Sequence, residues 1–418
     1  MRFLLYVPLC VAAAAAPASA QALTIAQAVD EAVQHNLALM AQKANLSVAD
    51  TQMVTARLRP NPVASVSADH LDWLGTGFDD TNNGGPPEMA FRVDLPIERA
   101  GKREKRMDLA SATHAVAVAL FEDAVRTLRS DVTLACIDIL AAKATRDLVA
   151  DNLRAFEDLA RVNRARAAAG SIAPLESTRS DVAMLQFRST AVRADLDLAT
   201  ALAKLRALVG RSPGDALDVS GDLHLVPSPP PELVAVEQLA LATRPDLRSL
   251  QLTEAKSVAD LRLQEAMGRI DYTVGAEYRR QQGLAGKSNS VGFFVSAPLP
   301  ILNRNQGEIA RAGAERNQTS RQIAATRAQI LSDVELAFHE YAVTRDLVSA
   351  IERELIAPAT SARDTSTYTY RAGGSSLVEL LDAQRAFNDT MQSYLDAQSS
   401  LRRAAARLNA TAGTEVMR

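Results

Sequence analysis

The chain has 418 residues, of which 46 are Lys or Arg and 49 Asp or Glu, giving a formal net charge of −3. That balance excludes a polybasic binder of nucleic acid or of a membrane surface. Aromatic residues make up only 4%, which suits Ala-rich helices better than a set of packed globular enzyme domains.

Residues 1–20 read as a secretory signal: Arg2 supplies the positive start, 3–16 the apolar run and Ala18-Ser19-Ala20 the small-residue cleavage site. Cleavage is expected before Gln21, leaving a mature charge of −4 once Arg2 is lost. Cys10 is preceded by Pro8 and Leu9 where a lipidation signal needs small residues, so no lipid anchor is expected. Cys136 then remains alone, which rules out an intrachain disulfide and suggests a buried small hydrophobe. After the signal no apolar run is long enough for a transmembrane helix.

Thr24 and Gln27 form a capping-box pattern that opens a helix, and helical periodicity continues past His35-Asn36 to about Arg59. Pro60-Asn61-Pro62 stops it. Ala64, Val66 and Ala68 then alternate with Ser65, Ser67 and Asp69, predicting a strand over about 62–71. A Gly-, Asn- and Pro-rich loop at 75–87 leads to clearer alternation over 88–97, with Met89, Phe91, Val93 and Leu95 opposite Arg92 and Asp94. Residues 102–169 contain neither Gly nor Pro and predict one helix roughly 100 Å long. Along it Phe121, Ala124, Leu128, Val132, Ala135, Ile139, Ala142, Val149, Leu153, Phe156 and Ala160 fall on a seam of three- and four-residue steps, broken at Arg146. Taken alone, that seam fits a dimeric coiled-coil rod as well as a helical tube. Gly170 ends the helix, Pro174 suits a first turn, and a return helix is expected over 175–209. Residues 211–231, with Pro213-Gly214 and Pro229-Pro230-Pro231, read as a linker.

The arrangement then repeats. Ser47-Val48-Ala49-Asp50 recurs as Ser257-Val258-Ala259-Asp260, Leu95-Pro96-Ile97 as Leu299-Pro300-Ile301, and Gly170 with Glu176 as Gly373 with Glu379, each displaced by 203 to 210 positions. Two tandem helix–β-hairpin–helix repeats are expected, at 21–210 and 232–418. The second carries strands over about 269–280 and 290–300, joined by a turn at 283–289. Strands of about ten residues have the length that crosses a bilayer when tilted. Alternation alone would equally allow solvent-facing hairpins. Within a membrane, strands must close into a barrel to pair every backbone group, and four are too few. Closure therefore needs several copies around one axis.

The order of segments resembles the TolC-like outer-membrane efflux channels, over essentially the whole mature chain. Tyr370-Arg371-Ala372-Gly373 followed by Leu380-Leu381-Asp382-Ala383-Gln384-Arg385 is similar to that family's second helix-turn signature. Arg59-Pro60-Asn61-Pro62 and Leu95-Pro96-Ile97-Glu98, then Gly101-Lys102-Arg103, are similar to its cobalt–zinc–cadmium subgroup. The resemblance implies a homotrimer with a twelve-stranded outer-membrane barrel on a long periplasmic helical tunnel. It also implies a periplasmic adaptor and a proton-driven inner-membrane pump as partners, and outer-membrane lipid around the barrel. The missing lipid-bearing cysteine departs from several relatives.

On this reading Phe91, Val93, Tyr272, Val274 and Phe293 face lipid, while Arg92, Asp94, Thr273 and Glu277 face the lumen. Gly170, Ser171, Ile172, Gly373, Gly374, Ser375 and Leu377 form tips that dock an adaptor. Glu176 and Glu379 are candidates for acidic rings at the mouth, or are ordinary first-turn carboxylates favoured by the helix dipole. No catalytic, metal or cofactor residues are expected, and no nucleic-acid partner. Gly286-Lys287-Ser288 lacks the first glycine of a phosphate loop, and Asp69, His70 and Asp72 suit a wet loop better than a metal site. The competing readings are a periplasmic coiled-coil adaptor, which would show a single helical hairpin between Gly-rich β segments, and a secreted hydrolase, for which no motif speaks.

Overall fold

The computed structural model describes residues 22–71, 73–75, 87–283 and 286–417. The signal segment at 1–20, Asp72 and the greater part of the 75–87 loop lie outside the described residues.

Helix α1 spans Ile25–His35 behind a complete capping box, with Thr24 Oγ1 accepting from the Gln27 N–H at 3.3 Å and Gln27 Oε1 from the Thr24 N–H at 2.9 Å. The single helix expected to about Arg59 is in fact two, since α2 spans Leu37–Arg57. Asn36 breaks it with an extended backbone, ψ 119°. Its Oδ1 accepts from the Leu39 N–H and its Nδ2 donates to the Leu208 carbonyl, both at 2.9 Å. Asn36 thus caps α2, an asparagine preference that hydrophobic periodicity does not register.

Strands β1 (Val63–Asp69) and β2 (Glu88–Ile97) precede α3, Lys102–Ala168, and α4, Pro174–Val209. Pro174 occupies the start of α4, and Gly210 ends it in the left-handed region at φ 76°. Then come α5 (Leu233–Thr243), α6 (Pro245–Met267), β3 (Tyr272–Gly283), β4 (Gly286–Ser296), α7 (Gln306–Glu354), α8 (Ile356–Arg371) and α9 (Leu377–Ala412). The break between α7 and α8 falls four residues before Pro358, which has no N–H to offer the carbonyl of Glu354.

The strand limits differ from those read off alternation. β1 is shorter than 62–71, and the second pair is displaced from 269–280 and 290–300 toward its turn. Gly283 pairs with Gly286 and Gln281 with Ser288, so residues 286–289, expected in a turn, belong to β4. The ladder there runs through polar residues, where backbone hydrogen bonds hold the pairing and no apolar alternation marks it. At the other end, the Asp271 carboxylate accepts from the Arg99 N–H at 2.9 Å and the Lys102 ammonium at 2.6 Å. These contacts hold 269–271 outside the ladder.

The chain divides into two compact units, each drawing on both halves of the sequence. The first takes residues up to Met40, Val125–Gln238 and those from Asp333 on. Its core includes Val132, Ile139, Leu205, Tyr341, Leu401 and Leu408. The α3 seam supplies Leu128, Val132, Ala135, Ile139, Val149, Phe156 and Ala160 to the interior, Phe121, Ala124, Ala142 and Leu153 are only half-buried, and Arg146 turns aside to pair with Asp147 at 2.7 Å. Cys136 is buried, and loss of water pushes its thiol up to about 12. The 211–231 segment is a packed strap: Leu217, Val219 and Leu223 are buried, and Arg211 forks onto Glu31 at 2.5 and 2.8 Å.

The second unit takes Ala41–Ala124 and Leu239–Ser332. It holds a single antiparallel sheet in the order β1-β2-β3-β4, in which the central pairing joins one hairpin from each half of the chain.

Candidate functional site

In an antiparallel ladder, directly opposed residues share a face. Val66, Phe91, Tyr278 and Val291 form one such row. Ala64, Val93, Ala276 and Phe293 form the next, followed by Leu95, Val274 and Val295, then Ile97 with Tyr272. All five residues expected on the lipid side therefore lie on one apolar face. Among the described residues its side chains are largely uncovered; Phe293 is 83% exposed and Val295 76%.

Arg92, Asp94, Thr273 and Glu277 share the opposite face, as their register requires. Several charges there are paired along and across the strands. Arg92 Nε donates to both carboxylate oxygens of Asp94 at 2.9 Å, and its guanidinium stacks 4.2 Å over the Phe294 ring. Arg279 reaches Glu88 at 2.6 Å and Glu277 at 3.0 Å. Gln281 Nε2 donates to Glu88 Oε1 at 2.6 Å. At Gly275 a Cβ would stand 2.2 Å from Asp94 Oδ1, so a larger residue would have to displace the carboxylate that Arg92 holds. One face is thus uncovered and apolar, the other polar and crossed by the Arg92–Asp94, Arg279–Glu88 and Arg279–Glu277 pairs.

Below the sheet a collar of ion pairs joins strands to helices within the same unit. Lys102, only 4% exposed, holds the Asp271 carboxylate and the Arg269 carbonyl, and Arg106 forks onto Glu98. Glu98 and Gly101-Lys102-Arg103 are its signal in the sequence.

The first unit carries the two helix turns. At Gly170, φ 71°, the Gly170 N–H bonds the Ala167 carbonyl at 3.0 Å and the Ser171 N–H the Arg166 carbonyl at 2.8 Å. At Gly373, φ 79°, the Gly373 N–H bonds the Tyr370 carbonyl at 3.1 Å and the Gly374 N–H the Thr369 carbonyl at 2.8 Å. Both are Schellman closures around a left-handed glycine. Gly170, Ser171, Gly373 and Gly374 are exposed, and Ile172 and Ser375 half-buried. Ser375 Oγ lies 3.1 Å from Thr369 Oγ1.

Leu377 departs from expectation. It is 2% exposed and packs with Phe156, Ala183, Tyr370, Leu380 and Leu381, so it anchors the turn and offers nothing to a partner. As the first residue of α9 its side chain is directed into the helix bundle, an orientation that its place beside a glycine turn does not reveal. Behind the turn lies a cavity of about 310 Å³ lined by Phe156, Leu159, Val162, Tyr370 and Leu380 among others. Phe156 stacks on Phe187 at 4.3 Å, and Tyr370 Oη donates to the buried Asn163 Oδ1 at 2.9 Å. Asn163, Phe187 and Tyr370 lie on three different helices, so no local pattern in the sequence links them.

Glu379 is committed to a capping box: its Oε2 accepts from the Ser376 N–H at 3.1 Å while its own N–H donates to Ser376 Oγ at 3.3 Å. Glu176 stands at the corresponding place in α4, but its N-cap is Ala173, whose methyl cannot accept a hydrogen bond. Among the described residues no group of three or more His, Cys, Asp or Glu converges as a metal site.

Comparison with known proteins gives a consistent result. The chain is 26% identical over 378 residues to the cobalt-zinc-cadmium resistance protein CzcC of Cupriavidus metallidurans, covering 89% of this chain and 86% of that one. The structure superposes on the outer-membrane channel OprN with a TM-score of 0.75 at 18% identity, over 93% of this chain and 89% of that one. On the Campylobacter jejuni CmeC outer membrane channel the TM-score is 0.77 at 13% identity, over 94% and 87% of the two chains. These likenesses establish the fold. The family model described as outer membrane efflux protein matches residues 28–211 and again 236–414. The chain belongs to the outer membrane efflux protein family and is an efflux channel of the outer membrane.

Proposed function

We propose that this channel is the passive exit duct of a tripartite pump for heavy-metal cations, assembled as a homotrimer whose three sheets close a twelve-stranded barrel. The observation that carries the barrel reading is the uncovered apolar face, Val66 through Val295, set against a polar face that holds the Arg92–Asp94 and Arg279–Glu88 pairs. Lipid is the solvent that such an apolar face fits, with the polar face lining a wet lumen. The free edges of β1 and β4 demand partners, which neighbouring copies supply. That the family model matches once in each half supports two copies of one structural unit, at 21–210 and 232–418.

The likeness to a cobalt-zinc-cadmium resistance protein supports metal cations as the cargo. The duct needs no tight metal site, since tight binding would slow exit. The exposed turns at Gly170-Ser171-Ile172 and Gly373-Gly374-Ser375 dock the periplasmic adaptor, which links the duct to a proton-driven inner-membrane pump. Glu176, free of a capping role, is the better candidate for an acidic ring at the mouth. Glu379 adds charge there while serving its cap.

The test compares two adjacent residues on opposite faces. Arg at mid-bilayer on a lipid face costs roughly 2–4 kcal/mol. Val274→Arg is therefore expected to deplete folded protein in outer membranes strongly, and Thr273→Arg only slightly. Equal losses would overturn the barrel reading. For the cargo, growth on cobalt, zinc and cadmium of cells with and without the gene is decisive: unchanged sensitivity to all three removes metals as substrate. Gly373→Val is expected to abolish resistance while leaving assembled protein in place; a parallel fall in both would make the turn merely structural.

A further inference from the structure

At the foot of the sheet, where β2 enters α3, α6 enters β3 and β4 leads to α7, a cleft of about 700 Å³ opens within the second unit. Its walls carry Lys105, Arg262, Arg269 and Arg304 against one carboxylate, Glu265. Arg304 spends its Nε on the Pro300 carbonyl at 3.1 Å. Among the described residues, the side chains of Lys105, Arg262, Arg269 and Glu265 form no hydrogen bond or ion pair. Lys102, Arg106 and Arg311 of the same unit pair with Asp271, Glu98 and Asp260, whereas in this cleft four cations gather around one carboxylate. Cations converging without partners repel one another, and an anion between them relieves that repulsion.

The cleft opens on a definite side. At about 100° per residue, Arg262, Glu265 and Ala266 lie on one side of α6, and Thr253, Ser257 and Asp260 on the other. The latter three line a second, polar cleft bounded by all four helices α2, α3, α6 and α7. The basic cleft and this second cleft therefore open on opposite sides of α6. The segment leading from β4 to Arg304 is apolar and uncovered: Leu299, Ile301 and Leu302 are all strongly exposed. Unpaired cations next to exposed aliphatic side chains match an amphiphile, with an anionic head and a hydrocarbon tail.

We propose that this cleft binds the phosphate of a membrane glycerophospholipid, whose acyl chains lie along Leu299, Ile301 and Leu302. The proposal rests on reading the sheet as the membrane-crossing part, which puts its foot at headgroup level. The bound phosphate lowers the positive charge of the cleft and helps hold the sheet at its depth in the bilayer.

The test uses the full protein purified in mild detergent, with phosphatidylglycerol, diacylglycerol of the same chains, or inorganic phosphate added, and bound species counted by native mass spectrometry. Wild-type protein is expected to retain phosphatidylglycerol and to release diacylglycerol. The Arg262→Gln/Arg269→Gln protein is expected to bind phosphatidylglycerol roughly tenfold or more weakly, at about one kcal/mol of attraction per basic residue. Its thermal transition without lipid should be unchanged. Should that variant fold poorly, Lys105→Gln, on a different helix, gives the same comparison with a smaller loss. Equal retention by wild type and variants, equal retention of diacylglycerol, or displacement of the lipid by millimolar inorganic phosphate would each overturn the proposal. Failure here with a normal Val274→Arg result would sink the lipid site alone; equal losses from Val274→Arg and Thr273→Arg would sink the membrane reading beneath it.

Discussion

The turns at Gly170 and Gly373 make an informative pair. Their backbones are closed alike, by left-handed glycines with the same two hydrogen bonds back into the preceding helix. Their exits diverge. After Gly170 the chain enters α4 through Ala173 and Pro174, with no side-chain cap. After Gly373 it enters α9 through Ser376, with a full capping box to Glu379, and Leu377 is driven into the core. The glycine closure sets the reversal, and each helix start stabilises it by separate means: a proline with preset φ in one, reciprocal hydrogen bonds and a buried anchor in the other. Side-chain substitutions should therefore separate the two turns, and glycine substitutions should not.

The largest difference is expected at the anchor. Leu377→Ala removes a buried side chain and should cost about 2–5 kcal/mol, whereas Leu175→Ala, in the first turn of α4 and 59% exposed, should stay within about 0.5 kcal/mol. Urea unfolding of the purified protein in detergent, monitored by circular dichroism, measures both. Similar losses would mean that the turns are not anchored differently.

Tyr370→Phe comes next. It strips the buried Asn163 Oδ1 of its donor and should cost about 1–3 kcal/mol. Asn163 Nδ2 already lacks a partner, so a double change of Tyr370→Phe with Asn163→Leu should recover part of the loss. No recovery would show that the hydrogen bond is not what orders this turn.

The glycines should behave as a matched pair. Neither has an atom within 4 Å of where a Cβ would stand, so Gly170→Ala and Gly373→Ala are opposed only by backbone strain, about 1–2 kcal/mol each. Thermal midpoints differing strongly between the two would contradict the shared closure.

The smallest effect belongs to the caps. Ser376→Ala should lose about 1 kcal/mol, and Ala173→Ser, which places a hydroxyl before Glu176, should gain a few tenths. Thermal shift assays on both variants decide whether Glu176 can complete the box that Glu379 already forms.

Much of this architecture comes from local rules. Period 3.6 without Gly or Pro is sufficient for α3, period 2 for the two faces of β2 and β3, and left-handed glycine for the two turns. Each depends on residues close in sequence, so each can be read from it. The Asn36 break and the outer ends of β3 and β4 escape such a reading because a capping side chain and a polar stretch of ladder leave no mark on hydrophobic periodicity. The pairing of β2 with β3, the burial of the 211–231 strap, the inward course of Leu377 and the unpaired cations at the foot of the sheet were decided by tertiary structure alone. Periodicity establishes which residues share a face, whereas what that face meets depends on segments brought together across some two hundred residues of chain. Only the folded molecule brings Arg262, Arg304 and Lys105 around one cleft.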